Sequence, residues 1–161
     1  MYHRILVALD GSQTAERGLR EAIGLAALHK SRLVVIHVVD DFSSLVELSS
    51  VASYERMKAE LGQFGNALLE KARLSALKSG VQAETSLVEV TDKRIASVIV
   101  DQASKSGCDL IVMGTHGRRG FSRLTMGSEA ELVARNSPVP VMLVKLERSL
   151  AEREKDAVLT D

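Results

Sequence analysis

The sequence predicts an α/β protein, a single doubly wound parallel sheet of five strands with helices on both faces. Two observations predict it. Five short runs rich in β-branched residues recur along the chain, four of them nearly continuous in apolar residues, as strands covered on both faces are. Between these runs the apolar residues switch to helical spacing, and strands alternating with helices call for right-handed crossovers onto a parallel sheet.

Taken in order, the strands are expected at "RILVALD" (4–10), "RLVVIHVVD" (32–40), "QAETSLVEV" (82–90), "DLIVMG" (109–114) and "PVMLVK" (140–145). The first helix follows from Ala15, Leu19, Ala22, Ile23 and Ala26, with Ser12 as its N-cap. Met57, Leu61, Phe64, Leu68 and Ala72 mark a second helix, weakened by Gly62 and Gly65, since each glycine costs about 1 kcal/mol relative to alanine in a helix interior. Ile95, Val98, Ile99 and Ala103 mark a third, to be capped by Thr91 or Asp92. A fourth begins at "SEAE", which reads as a capping box with Ser128 as N-cap and Glu131 reaching back. The serine-rich segment 40–53 is the one long irregular connector inside the domain, read as a tolerated surface insertion, with a lid as the alternative. The fold occupies 1–146, and the charged tail 147–161 is expected to fray.

Composition narrows the function. Lysine plus arginine equals aspartate plus glutamate at 21 each, so no global field draws the chain to nucleic acid or to an anionic membrane. Any basic patch has to be local. The single cysteine, Cys108, precludes an internal disulfide framework and suits the cytoplasm. No stretch of 18 apolar residues occurs, and "ILVAL" is too short for a signal-peptide core, so the chain is read as soluble and unprocessed.

The connection after the fourth strand carries the chemistry. About a dozen residues separate Gly114 from the helix start at Gly127-Ser128, where such connections usually need 2 to 6. Ligands of open α/β sheets sit beyond the C-terminal ends of the strands, and a helix N-terminus offers free N–H groups and a positive dipole to phosphate. Gly114, Gly117 and Gly127 would let the backbone approach an anion closely, and their lack of a Cβ permits the positive φ that a nest of N–H groups needs. Neither the Walker loop nor the dinucleotide fingerprint is present. The spacing is instead Gly114, two residues, Gly117, nine residues, Gly127, Ser128.

That spacing, with "ILVALDGS" at the first strand, "HVVD" ending the second, "CDLIVMGTHGR" at the fourth and "SPVPVMLVK" at the close, resembles the ATP-binding branch of the universal stress protein family, whose signature is G-2x-G-9x-G-[ST]. The resemblance implies an adenine nucleotide alpha hydrolase-like sheet of order 3-2-1-4-5, with the ends of the first and fourth strands side by side. It implies that Ala8 and Asp10 line the adenosine and that the backbone near Val38 meets the adenine edge. Gly114, Thr115, His116 and Gly117 would begin the ribose and phosphate loop, and Gly127, Ser128 and Glu129 would close it on the phosphates. It further implies ATP as ligand, with Mg2+ carried by the phosphates, and a homodimer through the last strand, Pro140 to Lys145.

Each of these positions has a plainer reading beside it. Asp10 can shape the turn and accept N–H bonds at the first helix, and Ser128 caps a helix whether or not phosphate binds. Arg118, Arg119 and Arg123 supply three positive charges for phosphate, or are solvated loop arginines. His116 reads as a side chain pinning the loop rather than a general base, and His37 as a packed residue near the crevice. No histidine, cysteine and carboxylate spacing suggests a metal site, and Cys108 reads as packing. Three functions remain: an ATP-binding module of stress physiology, a slow ATP hydrolase, and an interaction protein that assembles without nucleotide.

Overall fold

The computed structural model describes residues 1–40, 51–91, 93–115 and 127–146. Five strands, β1 (Arg4–Leu9), β2 (Arg32–Asp40), β3 (Ala83–Val90), β4 (Leu110–Gly114) and β5 (Val141–Val144), alternate with α1 (Gln13–His29), α2 (Val51–Lys78), α3 (Ile95–Lys105) and α4 (Ser128–Asn136). The sheet is parallel, in the order β3-β2-β1-β4-β5. The expected fold and strand order are both found.

Alternation along the central strands sorts the core into two layers. Ile5, Val7, Leu33 and Val35 face α1 and α2, packing with Leu19, Ile23, Leu69 and Ala76. Leu6, Val34, Ile36 and Ile111 face α3 and α4, packing with Ile99, Ala103, Ala130 and Val133. A strand sandwiched this way has to be apolar at successive positions, which is why β1 and β4 read as unbroken apolar runs. The edge strand β3 is only half-covered, and Glu84, Thr85, Ser86 and Glu89 are exposed along it. Burying a side chain such as Ile5 or Ile111 contributes roughly 1.5–3 kcal/mol each, so these layers are the main source of stability.

The division of helices creates the switch point. Strands β3, β2 and β1 are linked through α1 and α2 on one face, whereas β4 and β5 are linked through α4 on the other. Chain leaves β1 and β4, which are paired neighbours, toward opposite faces, and the C-terminal ends of such a strand pair are where open α/β sheets form a ligand crevice.

Several expectations change. The second helix is a single element from Val51 to Lys78, so it begins inside the stretch expected to be an irregular connector. Its buried stripe is Gly65, Leu69, Ala72 and Ala76, while Phe64 is 41% exposed. Gly65 is a contact residue rather than a weak point: a Cβ there would lie 2.5 Å from Leu87 Cδ1 and 2.7 Å from His37 Cδ2, so only glycine lets α2 settle this close to the sheet. The third helix has Arg94 at its N-cap, without a side-chain cap bond, in place of the expected Thr91; Asp92, the other expected cap, lies outside the described residues.

Candidate functional site: the crevice between β1 and β4

The β1 side is built from a turn and a cap. Asp10 is half-buried and its Oδ1 accepts the Ser12 N–H at 2.9 Å. Ser12 is the N-cap of α1, its Oγ accepting the Ala15 N–H at 3.2 Å and lying 3.0 Å from Thr14 Oγ1. The plainer reading of Asp10, a turn former at the head of α1, is therefore realised. The same bond fixes its carboxylate at the C-terminal end of β1. Ala8 and Val38 are half-buried and pack against the α3/α4 layer, one strand apart. His37 lies on the other face, buried, with Nδ1 donating to the Leu9 carbonyl at 2.7 Å and its ring edge-to-face with Phe64. It is the packed residue expected.

The β4 side is closed by backbone. Thr115, 3% exposed, donates its N–H to the Val144 carbonyl at 2.9 Å and accepts the Gly127 N–H at 2.8 Å. The two ends of the long connection thus meet directly. Between them, His116, Gly117, Arg118, Arg119 and Arg123 lie outside the described residues.

Two glycines of the stretch do not use the freedom that glycine permits. Neither Gly114 nor Gly127 adopts positive φ; Gly127 sits at φ −63 and ψ 143. Gly114 is glycine because α1 rests on it: an added Cβ would lie 2.9 Å from Ala15 N, Thr14 C and Thr14 Cβ. It thereby fixes the N-terminus of α1 against the end of β4, with Gly18 one turn later facing the Gly114 amide.

The capping box is not formed. Gly127 is the N-cap of α4, and Ser128 is the first helical residue, exposed. The physical reason is the Gly127–Thr115 bond, which holds Gly127 extended and starts the helix one residue past it. Glu131 pairs with Arg135 at 2.8 Å one turn along α4 instead of reaching back. The Glu129 side chain reaches from α4 to another helix. Its Oε2 accepts the Ala96 N–H at 2.6 Å and so caps α3, whose own N-cap residue supplies no acceptor. The first-turn amides of α4 have no intrahelical acceptor and carry the positive end of the helix dipole at Gly127, partly countered by Glu129 and Glu131 in the same turn.

Reactive chemistry elsewhere is scarce. Cys108 is buried, and burial pushes its thiol above the ordinary range, which suits packing rather than reactivity. Among the described residues no cluster of three histidine, cysteine or carboxylate side chains is placed to hold a metal, and no helix is long and apolar enough to cross a membrane. Sequence reasoning missed three residues that shape the crevice: Phe64, Gly65 and the capping role of Glu129. The glycine at 65 was visible, but its partners, His37 and Leu87, come from other strands and leave no local signal.

Known proteins share this arrangement. A universal stress protein of Methanocaldococcus jannaschii is 35% identical over 145 residues, covering 90% of this chain and 83% of its own. A crystal structure of a universal stress protein family member from Burkholderia pseudomallei superimposes with a TM-score of 0.73 at 34% identity, covering 89% of this chain and 96% of that one. The universal stress protein from Archaeoglobus fulgidus, solved in complex with dAMP, superimposes with a TM-score of 0.63 at 26% identity, covering 89% and 98%. The universal stress protein family profile matches residues 1–145, so with this sheet order, this switch point and these relatives the chain belongs to the universal stress protein family.

Proposed function

We propose that the chain is an adenine-nucleotide-binding protein of stress physiology, with ATP held in the crevice between β1 and β4. The observation that carries this reading is the Gly127 N–H to Thr115 carbonyl bond of 2.8 Å, which brings the two ends of the G-2x-G-9x-G-S stretch together at the C-terminal end of β4, the strand paired with β1. Ala8, Asp10 and Val38 would receive the nucleoside. Thr115, Gly127, Ser128 and Glu129, with His116, Gly117 and Arg118 from the connection, would surround the ribose and phosphates. The donor set fits such a ligand: the first-turn N–H groups of α4, capped by a glycine without a side-chain cap bond, would be offered to an anion. Mg2+ would ride on phosphate oxygens and water. The Archaeoglobus relative with dAMP supports the ligand class.

Binding is favoured over turnover by where the carboxylates go. Asp10 accepts the Ser12 N–H and Glu129 the Ala96 N–H, so both carboxylates are oriented by structural bonds, and the sequence holds no recognisable motif with a water-positioning carboxylate or glutamine. Occupancy would act on conformation or assembly, in a reducing cytoplasmic setting that suits a free buried thiol. The assembly we propose is a homodimer through Pro140–Lys145, because β5 is an edge of the sheet and Val141, Met142 and Leu143 are only half-covered.

The test is direct. Heat-released ligand from the purified protein is identified by mass, and ATP is titrated by calorimetry into wild type and Gly127→Val. Adenine nucleotide in the first assay and binding lost in the variant support the reading; a turnover that survives Gly127→Val points to a contaminating enzyme rather than to this crevice.

A further inference from the structure

The turn that carries Asp10 is braced by one aromatic residue of α2, the helix that shares a face of the sheet with α1. Gly11 adopts φ +82, and an added Cβ there would lie 2.8 Å from Phe64 Cζ, so the tip of the Phe64 ring rests against the Gly11 backbone. The same ring meets His37 at a centroid distance of 5.8 Å and an interplanar angle of 70°. His37 in turn donates from Nδ1 to the Leu9 carbonyl at 2.7 Å, which fixes the proton on Nδ1 because a carbonyl only accepts. Gly65 holds α2 close enough for both contacts, since its position would place a Cβ 2.7 Å from His37 Cδ2. Residues 9, 11 and 37 are thus gripped at one point, and Asp10 lies inside the grip.

Phe64 is 41% exposed, so core burial alone does not account for a phenylalanine here. We propose that Phe64 is a positioning residue for the nucleotide crevice, a clasp that keeps the β1–α1 turn in the shape that presents Asp10. The inference rests on the adenine-nucleotide reading above. A glycine at positive φ is the most mobile point of such a turn, and without the ring the turn samples other shapes that a ligand must first reorder. A displacement of α2 would reach the turn that holds Asp10 through this contact.

Phe64→Ala and Phe64→Leu are compared with Leu74→Ala, which removes a side chain of similar exposure, 44%, from the same helix. The Ser12 N–H, bonded to Asp10 Oδ1 at 2.9 Å, reports on the turn by amide hydrogen exchange. Losing one edge-to-face contact predicts Ser12 exchange and the ATP Kd both rising roughly threefold to tenfold in Phe64→Ala, less in Phe64→Leu, and unchanged in Leu74→Ala. Amides of Ile5 to Val7 should keep wild-type exchange. Wild-type Ser12 exchange in Phe64→Ala overturns the clasp, whether or not nucleotide binds. Loss of protection throughout β1 overturns it also, by making Phe64 a core residue. Faster Ser12 exchange with an unchanged ATP Kd overturns the positioning role, whereas a wild-type protein that binds no ATP overturns the nucleotide reading itself and leaves the clasp to the Ser12 measurement.

Discussion

Replacing Gly62 and Gly65 by alanine, one at a time, separates two effects that both act on α2. Each substitution relieves the same intrinsic penalty, about 1 kcal/mol for glycine in a helix interior. A Cβ at Gly62 meets nothing within 4 Å, so Gly62→Ala should stabilise the fold by roughly that amount. At Gly65 the added carbon falls 2.5 Å from Leu87 Cδ1 and 2.7 Å from His37 Cδ2. Leu87 is half-buried on the edge strand and can turn aside. His37 cannot, because its ring is tied to the Leu9 carbonyl and packed on Phe64. Overpacking of this kind typically costs 1–3 kcal/mol, so Gly65→Ala should end between neutral and about 2 kcal/mol destabilised. Equilibrium urea unfolding measures both, and the gap between the two variants should be about 1–3 kcal/mol. Equal stabilisation by both substitutions would refute the close approach of α2 to the sheet.

Gly114→Ala should lower stability by roughly 1–3 kcal/mol, because two of the three atoms that its Cβ meets at 2.9 Å are backbone and cannot swing away; thermal unfolding would register a fall of about 2–4 °C per kcal/mol. Glu129→Ala leaves the Ala96 amide without its acceptor and should cost about 0.5–2 kcal/mol, with amide exchange rising at the start of α3 rather than in α4. Asp109 supplies a pH test. Burial acts to raise its carboxyl, but hydrogen bonds from the His3 and Arg4 amides and the His3 ring outweigh that and hold it below the usual carboxylate value. A carboxyl lowered on folding contributes stability that is present above its unfolded pKa and is lost as pH falls through the folded one. The urea midpoint should therefore drop on acidification below the ordinary aspartate range, and Asp109→Ala should flatten that acid limb.

The strands were legible because their requirement is local: a strand covered on both faces needs apolar residues in succession, and "ILVAL" or "LIVM" meets that need alone. The order of the strands was not. Which strands become neighbours depends on crossovers, and only the resemblance carried by the glycine spacing supplied it. Ser12 as N-cap was readable, since its partner Ala15 is three residues away. The apparent capping box at Ser128 misled for the converse reason. Its start is set by Thr115, twelve residues earlier in the chain, whose carbonyl draws the Gly127 amide. Glu129 capping α3 and Gly65 admitting α2 likewise depend on partners 33 and 28 residues away. Glycines in particular carry no side chain from which a role can be read, so Gly114 looks the same in sequence whether it faces a phosphate or, as here, the first turn of α1.

The measurement that bears most directly on the central claim is calorimetric titration of ATP into nucleotide-free protein, alongside identification of the nucleotide released when the purified protein is heated. Binding at the crevice predicts a single saturable site in the wild type, an adenine nucleotide in the heat-released fraction, and loss of the heat signal in Gly127→Val while that variant still unfolds cooperatively. No released nucleotide and no heat of binding would contradict it, and would leave the Gly127–Thr115 closure as a device for holding α4 against β4.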